Sequence, residues 1–75
     1  MNKNRRQQLR EWIEKMDSIK SELESILFDE ENYFDSMPEN LQGSMNGMNS
    51  EEAIDKINDA IACIEEAVES IEEII

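Results

Sequence analysis

The chain has 75 residues, seven Lys or Arg against nineteen Asp or Glu, for a net charge of −12, yet 39% of its residues are hydrophobic. That allows one structural unit with a thin core, acidic but too apolar to remain unfolded. With no His there is no Ser-His-Asp triad, His-ligated zinc, haem or Glu-x-x-His di-iron site, and two Gly and one Pro leave no glycine-rich phosphate loop.

Apolar residues recur at Leu9, Trp12, Met16, Ile19, Leu23 and Ile26 in alternating steps of three and four, and resume at Tyr33. This heptad spacing predicts a long helix over about 4–35. Ile13, Leu27 and Phe34 each follow a seam residue and widen the stripe to two flanks, as a bundle helix requires. Glu30 stands where the next seam residue belongs and reads as a bundle end reached by solvent.

Residues 36–49 form a hinge. Met37 precedes the only Pro, which disfavours helix there. A short turn over 38–42, with Pro38 in its first position and Gly43 ending it, would let Leu41 cover the bundle end. Ser44 to Asn49 read as a flexible connector. Met37, Met45 and Met48 admit two readings, an adaptable binding surface or simple packing over that end.

The second helix, predicted over 50–75, has the stricter pattern: Ile54, Ile57, Ile61, Ile64, Val68, Ile71 and Ile75. Ala53, Ala60, Ala67 and Ile74 form a flank, mostly of small residues, that would let a neighbouring backbone approach. Asn49 or Ser50 offers the N-cap, with Glu51 and Glu52 in the first turn, where the helix dipole favours acid.

Two such helices and one hinge predict an all-α fold, an antiparallel two-helix hairpin. Charge agrees with that topology. Residues 1–20 carry six bases against three acids, whereas 21–75 carry sixteen acids against Lys56 alone. An antiparallel hairpin lays Glu65, Glu66, Glu69, Glu72 and Glu73 beside Lys3, Arg5, Arg6 and Arg10, where a parallel pair would set acid against acid. One hairpin leaves the outer parts of both stripes wet, so the expected assembly is a homodimer forming a four-helix bundle.

The remaining side chains point away from catalysis, and no enzyme, cofactor or metal is expected. Cys63 has the anionic neighbours Glu65 and Glu66 and reads as a small boundary residue; a lone thiol suits a reducing compartment. Asp29, Glu31, Tyr33 and Asp35 alternate like calcium ligands, but Phe34 stands where an EF-hand needs Gly. Direct nucleic-acid binding by Lys3, Arg5, Arg6 and Arg10 is not expected from so acidic a chain. Glu22, Glu24, Asp29, Glu31 and Asp35, with Glu51, Glu52 and Asp55, form a candidate acidic partner surface. It would either imitate a phosphate backbone or simply keep the chain soluble. No segment reads as a signal peptide or a membrane span, so a cytoplasmic location is expected.

The run Met37-Pro38-Glu39-Asn40-Leu41-Gln42-Gly43-Ser44, followed by Ser50-Glu51-Glu52-Ala53-Ile54 and an acidic Ile/Ala-rich helix, resembles a group of small acidic proteins of bacteriophages and mobile elements of Gram-positive bacteria. The likeness covers about residues 21–75. It implies a helical hairpin, a host-cell cytoplasm, and an unidentified host or phage protein as partner, with a counter-defence or host-takeover role. It hands over no active site.

Overall fold

The computed structural model describes residues 1–75. Two long helices, α1 (Lys3–Asp35) and α3 (Met45–Glu72), flank a single turn of helix, α2 (Glu39–Gln42), and there are no strands. At ~1.5 Å per residue the long helices measure about 50 and 42 Å. The molecule is only 58 Å long and 15 by 13 Å across, so the two must lie side by side, and the short hinge makes them antiparallel.

Local chemistry sets each helix end. Asn2 caps α1, its side-chain oxygen accepting a hydrogen bond from the Arg5 amide at 2.8 Å. At the other end the Ser36 amide and hydroxyl both donate to the Asn32 carbonyl, and the Pro38 ring, with no N–H, prevents continuation. Pro38 serves as the N-cap of α2, one position before the place expected for it; its carbonyl accepts from the Leu41 and Gln42 amides.

One expectation about the hinge is corrected: α3 begins at Met45, five residues before Ser50, so Met45 to Asn49 are helical and Glu51 and Glu52 fall in the second turn. The cause is Ser44, the actual cap, whose hydroxyl donates to the Leu41 carbonyl and accepts from the Gly47 amide. Gly43 ends α2 as expected, with φ −84° and open space where a Cβ would stand, so the turn needs no left-handed glycine there. The indispensable glycine is Gly47, where a Cβ would lie 2.1 Å from the Gln42 carbonyl oxygen. Leu41 remains half exposed within the single hairpin.

The helix pair buries little. Ile61 is the one buried apolar side chain, at 9% exposure; Gly47 and Ser50 are buried near the hinge, and the inner sides of both helices are otherwise only half-buried. Along α3 the inward column is Gly47, Ser50, Ile54, Ile57, Ile61, Ile64, Val68 and Ile71, and Ile75 continues it beyond the end of the helix at Glu72, short of the expected end at 75. Along α1 it is Leu9, Ile13, Met16, Lys20, Leu23, Leu27, Glu30 and Phe34. The seam expected through Trp12, Ile19, Ile26 and Tyr33 is therefore rotated by one residue, toward Ile13, Leu27 and Phe34. Leu9, Met16 and Leu23 belong to both ribbons, and a single neighbouring helix covers only one of them. Lys20 joins the inward column by laying its stem along the seam while its amine reaches outward.

Candidate interaction surfaces

The roll of the helices leaves one ribbon of α1 facing outward. Trp12 is 57% exposed, Ile19 53%, Ile26 52% and Tyr33 50%, four large side chains at strict seven-residue intervals. From Trp12 to Tyr33 there are 21 residue steps, about 31 Å of helix. Lys15 Nζ sits 4.2 Å above the Trp12 ring, a cation–π contact on the ribbon's edge.

The ion pair between Lys20 and Glu65, Nζ to Oε1 at 3.4 Å, marks the register of the hairpin. Counting away from it in opposite directions brings Trp12 level with Ile74, Ile19 with Ala67, Ile26 with Ala60 and Tyr33 with Ala53, each within one residue. One side of the hairpin carries a charged groove lined by Asp17, Lys20, Glu65, Val68, Glu69 and Glu72. The heptad positions on the other side of the inward columns are the large ribbon of α1 and the alanine row of α3. The two apolar rows thus share one face, high along α1 and low along α3.

Charge is divided between the same two sides. All nine acidic residues after Met45 lie on the three columns of α3 turned away from the alanine row. The column bordering that row holds Asn49, Lys56, Cys63 and Ser70, with no acid. The matching border of α1 holds Gln8, Lys15, Glu22 and Asp29. A chain of net charge −12 therefore presents a nearly neutral apolar face and an intensely acidic back.

Of the acidic residues named from sequence, Glu51, Glu52 and Asp55 come together with Asp59, Met48, Lys56 and Asn58 along a shallow groove of α3. Glu24 and Glu31 lie on the acidic side of α1, and Lys20 also stands 4.0 Å from Glu24. Glu22 and Asp29 do not join that surface; they border the apolar face, and Asp35 ends α1 at the hinge. The cross-helix pairing expected between the basic head and the acidic tail is not made: no ion pair involves Lys3, Arg5, Arg6 or Arg10. Lys3, Arg5 and Arg10 instead stand in water, Lys3 and Arg10 lining a shallow hollow beside Asn4 and Gln7, while Arg6 is half-buried.

Tyr33, Met37, Leu41, Ser44 and Asn46 line a further hollow at the hinge end. Met45 and Met48 are exposed. Ser50, 2% exposed, holds a hydroxyl with no hydrogen-bond partner. Cys63 is a free, exposed thiol. No cluster of carboxylates and thiol converges closely enough to hold a metal ion, and no helix is long and apolar enough to cross a membrane. No family model matches the chain, and neither a curated protein nor a solved structure is significantly similar to it.

Proposed function

We propose that this chain is a non-enzymatic interaction module that works by self-association and docking, two hairpins joining into a four-helix bundle. The observation that supports it is the exposed ribbon of Trp12, Ile19, Ile26 and Tyr33 on a hairpin whose own buried apolar core is Ile61. The accessible surface, 5686 Å², exceeds by about 900 Å² the roughly 4,800 Å² expected of a compact monomer of this mass. That surplus matches the ~800 Å² each partner hides in a standard interface. Sedimentation at micromolar concentration tests the reading; a well-folded monomer refutes it. The phage-like hinge sequence adds a bacterial host cytoplasm as the setting and a host or phage protein as the second partner.

A second reading is favoured by the acidic back. Glu51, Glu52, Asp55 and Asp59 in one groove, with Glu24 and Glu31 on α1, would occupy the basic groove of a nucleic-acid-handling protein in place of phosphates. Such binding weakens steeply between low and physiological salt, whereas docking through the apolar face does not. Neutralising Glu24, Glu31, Glu51 and Glu52 together without loss of the partner would exclude it.

A further inference from the structure

Resting on the self-association reading, we infer that the second copy binds about a two-fold axis parallel to the hairpin's length. The large ribbon of each α1 then lies on the alanine row of the other copy's α3, and both hinges stand at the same end.

Two hairpins meeting through this face have two symmetric choices. If the axis crosses the hairpin, large row meets large row and alanine row meets alanine row, holding one pair of helices apart while the other pair is left with a gap. If the axis runs along the hairpin, every level pairs a large residue with a small one: Ile19 with Ala67, Ile26 with Ala60, Tyr33 with Ala53. Close packing favours the second, because voids and overfilled layers each cost stability. Trp12 meets Ile74 at the open end, the one level with no small partner.

The bordering charges agree independently. The register set by Lys20 and Glu65 puts Asp29 of one copy level with Lys56 of the other, Glu22 with Cys63, Lys15 with Ser70 and Ser36 with Asn49. Each acid meets a base or a neutral side chain. The crosswise axis sets Glu22 against its own copy near the centre. Gathering both hinges at one end brings two acidic regions to it, but the acids of α3 face opposite outer sides of the bundle. They stand about two helix diameters, ~20 Å, apart, well beyond the ~8 Å screening length at physiological salt.

The lengthwise axis makes the positions of the chain's one thiol and of Glu22 neighbours across the interface, while within one hairpin they lie on opposite outer edges. The test uses Glu22→Cys in the otherwise native chain, treated with a short bismaleimide, beside the native chain with Cys63 alone. The expected result is a several-fold higher yield of covalent dimer from the variant. Equal yields, a higher yield from the native chain, or a yield that persists when Cys63→Ala is added to the variant overturn the lengthwise axis, since the crosswise one brings residues 22 and 63 each against its own copy. A sedimentation run on both proteins separates this from failure of the underlying reading, which would show only monomer. As a second measurement, Lys56→Glu weakens self-association about two- to fivefold and adding Asp29→Lys restores it; absence of that restoration counts against the proposed pairing.

Discussion

Lys20 Nζ lies 3.4 Å from Glu65 Oε1, the one ion pair that joins the two long helices. The lysine occupies an inward position of α1 between Met16 and Leu23, and both side chains of the pair keep much of their contact with water. A pair this wet contributes at most ~1 kcal/mol. Its value is positional, since it records the level at which the helices pass each other.

Replacing that lysine by an apolar residue of the seam should therefore help. Lys20→Leu raises hairpin stability by about 1 kcal/mol, because partial burial of the leucine outweighs the lost ion pair and Glu65 remains in solvent. Urea unfolding followed by circular dichroism checks it as an increased midpoint.

The two glycines should respond in opposite directions. Gly47→Ala meets the Gln42 backbone and lowers stability by about 2 kcal/mol, even though alanine is the better helix former. Gly43→Ala meets nothing and is neutral or stabilising by up to ~1 kcal/mol, by restricting the unfolded chain. Thermal melts of the two variants side by side decide the matter.

Ser50→Ala removes a buried hydroxyl with no partner and puts a better helix former in its place. An increase in stability of about 1 kcal/mol is expected. A decrease would mean that the hydroxyl is bonded in solution.

The apolar face and the hairpin core should separate experimentally. Ile26→Glu abolishes self-association while the chain keeps its helices, because residue 26 lies outside the seam. Ile61→Ala, at the one buried apolar position, instead lowers hairpin stability by ~2–4 kcal/mol. Sedimentation combined with circular dichroism reads both effects.

The periodicity of apolar residues by itself determined that this chain is all-helical, with two long helices meeting about one proline-bearing hinge. Steps of three and four are a direct consequence of helix geometry, so no tertiary information is needed to read them. Which of two overlapping ribbons α1 turns inward was decided only by tertiary structure. Leu9, Met16 and Leu23 serve both ribbons, and the choice depends on the roll imposed by the neighbouring helix. The start of α3 was hidden for a related reason. Met45 to Asn49 have weak local preferences, and only the Ser44 cap, together with the close approach of Gly47 to Gln42, makes them helical. The separation of acid from the alanine row was present in the sequence throughout. It became legible as a face once the register of Lys20 and Glu65 showed which columns stand side by side.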